Sequence, residues 1–345
     1  MRTRPALVLG TLAVLTLVSA VLAVGVGSVP IPPATTLRYF TGGQVDPTAA
    51  VLLHQVRLPR AVTAMLAGIG LAVAGLLMQT IFANPLADPY ILGVSSGASL
   101  GVAIAVLGGG TLAGGFVAGL GLTGRAGVVI AAAASALAVL LLVLLLGRWV
   151  RSVVALLLIG VMIGSATTAL VALLLAFSGP DRIQKYVLWG LGSVGGTTWP
   201  DLAFLAPAIL LGVALAGWIA PSLNAMLLGE KYAASMGVAV GRIRVVGIVA
   251  TAVMAGAVTA FCGPIAFVGI AVPHLARMAV GRADHRWLVP ASALMGAVVL
   301  QLCAVIAQLP GSDGVLPLNV VTAAIGAPVV IIALLRSRTL AAGAS

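Results

Sequence analysis

Long apolar runs recur from end to end of this chain, and nothing else in it limits the possible folds so strongly. The hydrocarbon core of a bilayer is about 30 Å thick, so about 20 residues of helix cross it. Runs of that order stand near residues 6–29, 61–82, 93–107, 126–147, 152–177, 201–221, 243–261, 264–280, 287–308 and 317–335, the third and eighth being short. Hydrophobic residues make up 61% of the chain against 7% charged, with a mean hydropathy of +1.23. A soluble domain does not have that balance. In lipid each backbone polar group must find a partner within the protein, which makes helices of such runs. The expected fold class is all-α: a polytopic membrane protein of about ten transmembrane helices, a single domain over residues 1–345 with no soluble domain appended. The 43 glycines suit a bundle in which small residues let backbones approach closely.

The first run follows Arg2 and Arg4 in the manner of a secretory signal. It is longer than the roughly 7–15 apolar residues of a signal and no cleavage site follows, so it reads as a retained helix. The net charge of +11 is a matter of topology. With the N-terminus inside, 12 of the 18 Lys and Arg fall on inner segments, the positive-inside pattern, which puts both termini in the cytoplasm. No basic patch with interleaved aromatics is present, so the expected surroundings are membrane lipid and not nucleic acid. Cys262 and Cys303 lie in apolar runs, where free cysteine behaves as a small hydrophobe.

Enzyme chemistry is not legible here. "GVSSG" at 93–97 matches the G-x-S-x-G nucleophile elbow, but a proline-broken loop precedes it where a strand is required, and small residues for helix packing are the plainer reading. His54, His274 and His285 lack ligand spacing with a third donor, so no metal or other cofactor is expected. No G-x-x-x-x-G-K-[ST] occurs, so any ATP hydrolysis belongs to a separate chain.

Three other stretches point to transport. "ANPLADPYILGVSSGASLG", residues 83–101, puts two prolines, Asn84 and Asp88 between apolar runs. A charge in hydrocarbon costs about 2.5–3.5 kcal/mol, so this stretch faces water, a cavity or protein. On the inner side it makes either a stiff gate at the mouth of a pathway or an ordinary re-entry turn. "PSLNAMLLGEKYAASMGVAVGRIR", residues 221–244, has helical apolar periodicity broken at Gly229 and Gly237. It suits docking into a partner's groove, or a surface amphipathic helix without a partner. In "VRLPRAV", residues 56–62, Pro59 stiffens a turn at the outer face, presenting Arg57 and Arg60 either to headgroups or to an acidic partner.

As an ordered set, several segments resemble the FecCD family, the permease subunits of bacterial ABC importers for iron–siderophore complexes, heme and cobalamin. They are "RLPR" at 57–60, Gln79 with "NPLADP" and "LGVSSGA" through Ala98, "LLLIGV" at 156–161 and "WGLGS" at 189–193. "LNAMLLGEKYAASMGV" at 223–238, "GPIAFVGIAVPHLAR" at 263–277, "GRADHR" at 281–286 and "IGAP" at 325–328 follow in order. The resemblance implies an inverted repeat relating helices 2–5 to 7–10. It implies a homodimer, or a pair with a paralogous permease, joined by two ABC ATPase subunits and an extracytoplasmic substrate-binding protein in the bacterial cytoplasmic membrane. Ferric siderophore is the expected substrate, with heme or cobalamin the alternatives.

Residue by residue, the resemblance assigns Asn84 and Leu86 to a cytoplasmic gate, completed by Ser152, Val153 and Val154. It assigns the segment of about 222–242 to ATPase coupling, with Leu223, Leu227, Gly229, Glu230, Ala233 and Gly237 as its residues. Arg57 and Arg60 are assigned to docking of the binding protein. Ser165, Thr167 and Thr168 either line the pathway or pack in the core. One corner departs from the family: in "CAVIAQLPGSDGVLPLNV", residues 303–320, the usual Arg is missing, Val315 stands for a Glu and Asn319 for a Gly. An ion-coupled secondary transporter and, more distantly, an intramembrane hydrolase are the competing readings.

Overall fold

The computed structural model describes residues 5–108, 124–150, 153–308 and 314–342. Among them it is all helix and turn. The helices are α1 (Pro5–Gly25), α2 (Pro33–Phe40), α3 (Pro47–Val51), α4 (Leu58–Ile81), α5 (Val94–Leu107), α6 (Gly124–Gly147) and α7 (Val153–Ala176). Then come α8 (Pro180–Gly190), α9 (Trp199–Met226), α10 (Glu230–Ser235), α11 (Val240–Cys262), α12 (Val268–Val280), α13 (His285–Ala307) and α14 (Leu318–Ala342). Among the described residues, seven helical stretches are long and apolar enough to cross a membrane, and three shorter apolar helices accompany them, beginning at Val94, Val268 and Leu318. Those places match the apolar runs of the sequence. The short amphipathic helices α2 and α8 have no counterpart among the runs, because neither is apolar enough to mark itself.

Helix α4 is the axle. Together with α3 and a π-helical turn at Leu52–Arg57 it forms one rod from Pro47 to Ile81, and most of its side chains are buried. Neighbouring helices reach it through glycine. A Cβ on Gly68 would stand 2.1 Å from the carbonyl oxygen of Gly296 in α13, and one on Gly75 would stand 1.8 Å from that of Gly269 in α12. Only hydrogen fits at such crossings, and the close backbone approach supplies the dispersion contacts that hold helices together where lipid removes the hydrophobic drive.

The two halves repeat one pattern. A long helix (α4 or α11) ends in a broken turn, a short helix follows (α5 or α12), and two more spans close the unit (α6 and α7, or α13 and α14). In each half the short helix starts after a left-handed residue, Gly93 at φ 76° and Phe267 at φ 69°. Taking every apolar helix among the described residues as a crossing, α4 is the second and α11 the seventh, so the two run in opposite directions. That is an inverted repeat. Asn319 ties the second broken turn: its Oδ1 accepts from Ala266 N–H at 2.9 Å and its Nδ2 donates to the Pro264 carbonyl at 2.7 Å.

Candidate functional site

The turn after α4 is built from local hydrogen bonds. The N–H of Asn84 donates to the Gln79 carbonyl at 3.1 Å and that of Ala83 to Thr80 at 3.2 Å. This is a Schellman ending, with Ala83 at φ 46° in the left-handed position usually given to glycine. Two like units follow. Asn84 Oδ1 accepts from Leu86 N–H at 2.9 Å across Pro85, and Asp88 Oδ1 accepts from Tyr90 N–H at 2.8 Å across Pro89. Each proline fixes φ while each side chain ahead of it closes an Asx turn, so the stretch is stiff without being helical. Burial pushes the Asp88 carboxyl up to about 6, and the Tyr90 hydrogen bond opposes that shift. Asn84 is thus spent on the turn, while Leu86, 42% exposed, is what the turn presents.

Helix α12 clamps this turn from the side. His274 Nε2 lies 3.0 Å from the Pro85 carbonyl and donates to it. Arg277 donates to Gln79 Oε1 at 2.6 Å, and Gln79 Nε2 donates to the Ile270 carbonyl at 3.2 Å. Sequence reasoning gave His274 and Arg277 no role here. The available signal was a set of polar residues on otherwise apolar helices, which in a membrane must pair.

Of the other expected gate residues, Ser152 lies outside the described residues, Val153 opens α7, and Val154 is exposed. Ser165 and Thr168 line a cleft of about 540 Å³ with Tyr90, Ser96 and Gly160, between the broken turn, α5 and α7. Thr167 does not join them: it is buried and its hydroxyl bonds back to the Gly164 carbonyl at 2.8 Å. Helical pitch turns Thr167 about 100° from Thr168, and that decides its face.

The segment from 227 to 239 is a short helix between two glycine joints. Gly229 has φ 105° and Gly237 φ 85°, backbone that side-chain-bearing residues rarely adopt. Leu227, Leu228, Tyr232 and Met236 are exposed, an apolar surface at the end of the bundle. Glu230 and Arg244 form an ion pair across it. Leu223 and Ala233, expected at the same surface, are fully buried and anchor the segment from beneath.

The arginines differ most from expectation. Pro59 does stiffen the start of α4, yet Arg57 and Arg60 are only 4% and 5% exposed. Arg57 donates to the carbonyls of Val24 at 3.1 Å and Gly25 at 2.7 Å, and also to Val29. Arg60 donates to Ala23 at 2.9 Å and Val26 at 2.6 Å. The last turn of α1 leaves carbonyls without helical partners at the negative end of its dipole, and guanidinium groups satisfy both needs. Presentation of these cations at an open outer surface is therefore corrected: in this structure they cap α1.

Compared with known proteins, residues 15–336 match the FecCD transport family. The chain belongs to that family. Among curated relatives, the vitamin B12 import system permease protein BtuC of Citrobacter koseri is 37% identical over 96% of this chain and 94% of its own length. The uncharacterized ABC transporter permease protein YvrB of Bacillus subtilis is 36% identical over 92% of this chain and 90% of its own. A solved inward-facing structure of a transporter assigned to the metal-chelate ABC type superposes with a TM-score of 0.83, at 32% identity, over 96% of this chain and all of that one. As a FecCD member this chain is a multi-pass permease, a transport subunit and not an enzyme, and an ABC importer permease works with ATPase and binding-protein partners.

Proposed function

We propose that this chain is the membrane pathway of an ATP-driven importer for a bulky metal chelate of the cobalamin class. The observation that carries the reading is the full-length likeness to vitamin B12 permeases, with every broken turn and glycine joint falling inside the matched region. It favours cobalamin over the ferric siderophore expected from family frequency alone. Two copies of the chain enclose the pathway, with the exposed face of α7 and its cleft turned toward the two-fold axis. Both termini lie in the cytoplasm. The 227–239 segment sits in the ATPase subunits, and the 82–93 turn, with Leu86 foremost, closes the inner mouth. For Arg57 and Arg60 to receive carboxylates of a binding protein, they must exchange the α1 carbonyls for them.

ATP-bound closure of the ATPases moves the exposed apolar segment, and that movement tilts the helices enough to open the turn. A cleft offering small residues and hydroxyls binds a large chelate loosely, as release requires. The test is ATPase stimulation of the reconstituted complex, with its binding protein, by cyanocobalamin, ferric siderophore and heme. Stimulation by cyanocobalamin alone is expected. Stimulation by ferric siderophore alone would overturn the substrate class, and absence of any ATPase complex would overturn the importer reading.

A further inference from the structure

Asn224 and His285 form a polar junction that neither the gate nor the coupling surface accounts for. His285 is 1% exposed and opens α13. Its backbone N–H and its ring Nδ1 both lie 2.8 Å from Asn224 Oδ1. A backbone N–H can only donate, so the amide oxygen faces the histidine. The amide Nδ2 then donates to Asp284 Oδ1 at 2.6 Å, and Asp284 also caps α13 through Arg286 N–H at 2.9 Å. Because Oδ1 can only accept, Nδ1 carries a proton, and this fixes the ring. On its far side Nε2 meets Thr80 Oγ1 at 2.8 Å. Three helix ends converge there: the last turn of α4, the last turn of α9 and the first of α13.

Placement in the chain gives the junction its meaning. Asn224 stands in the last turn of α9, just before the exposed 227–239 segment and within its buried anchor, and Thr80 stands just before the Asn84–Pro89 turn. A second contact closes the loop: a Cβ on Gly247, in the helix that follows the coupling segment, would stand 2.3 Å from Ile81 Cδ1. The last turn of α4 is thus gripped from both flanks of that segment, by hydrogen bonds through Asn224 and His285 and by packing at Gly247. The links are part-buried around a His285 side chain that is itself buried, so breaking them strands the imidazole without partners, and this ties the ends together.

We infer that Asn224, with His285 and Thr80, positions the gate turn according to the state of the coupling segment, passing its displacement to the end of α4. The inference rests on the importer reading above. None of these residues lines the cleft beside α7 or belongs to the exposed 227–239 surface; each acts through the turn.

The test uses the full complex in proteoliposomes, carrying Leu86→Cys together with Cys262→Ala and Cys303→Ala. Three quantities are read: ATP hydrolysis, cyanocobalamin uptake per ATP, and the rate of maleimide labelling at residue 86 with and without nucleotide. Thr80→Val and Asn224→Leu should hydrolyse ATP at near the unmutated rate. Uptake per ATP should fall about tenfold in Thr80→Val, the scale of one lost hydrogen bond, and by at least as much in Asn224→Leu, and the nucleotide response at residue 86 should vanish in both. Thr80→Ser, which keeps the hydroxyl, should restore both. Unchanged uptake per ATP and an unchanged labelling response in Thr80→Val overturn the inference, and that variant decides alone if Asn224→Leu does not assemble. No nucleotide response in the Leu86→Cys complex that keeps Thr80 and Asn224 would instead sink the gate reading beneath it.

Discussion

Arg277 donates to Gln79 Oε1 at 2.6 Å, joining residues 198 positions apart at the point where α4 ends. The broken turn that follows is therefore held at both ends, by α12 on one side and by its own Asx bonds on the other. A turn held in this way is braced against both α4 and α12.

Ala83 occupies the left-handed position of the α4 ending without glycine's freedom. A non-glycine residue there costs about 1–2 kcal/mol. Ala83→Gly is expected to raise the thermal unfolding temperature of the purified protein in detergent. A lowered midpoint would mean that the alanine methyl makes a contact worth more than the strain.

Leu86 is the side chain that the turn presents, and Asn84 is its brace. Leu86→Gly should let cyanocobalamin leak from loaded proteoliposomes without ATP. Asn84→Ala should leak less, because it loosens the turn while leaving Leu86 in place. Leakage at the unmutated level from Leu86→Gly would remove this turn from the pathway.

Arg57 and Arg60 each hold carbonyls of α1, and hydrogen bonds to a charged group are worth about 1.5–3 kcal/mol. Arg57→Ala and Arg60→Ala should each lower thermal stability and expose the end of α1 to protease. Association of the binding protein should keep its salt dependence, since buried cations steer little. A stable double variant with a flattened salt slope would reinstate these arginines as docking residues.

Gly229, at φ 105°, cannot be replaced by proline without redrawing the joint, because proline fixes φ near −65°. Gly229→Pro should leave the membrane helices folded by circular dichroism and separate ATP hydrolysis from uptake. Normal uptake in that variant would show that the segment is not the coupling element.

Most of the helix inventory and the positions of its breaks were open to reading from the sequence, because both are local properties. A run of about 20 apolar residues is a helix in lipid whatever its neighbours, and Pro85, Pro89 and the glycines at 93, 229 and 237 interrupt helices through their own backbone chemistry. Side-chain direction is not local. Arg57 turned inward because the carbonyl end of α1, more than 30 residues earlier, lies beside it. Thr167 and Ala233 were lost to packing that adjacent letters do not encode. The junction of Thr80 with His285 spans 205 positions, and that of His285 with Asn224 spans 61. Each of these residues reads alone as an isolated polar group near the end of an apolar run. Folding brings them together because a polar group at the edge of the hydrocarbon has to find its partner inside the bundle, and only the packing of α4, α9 and α13 determines which partner that is.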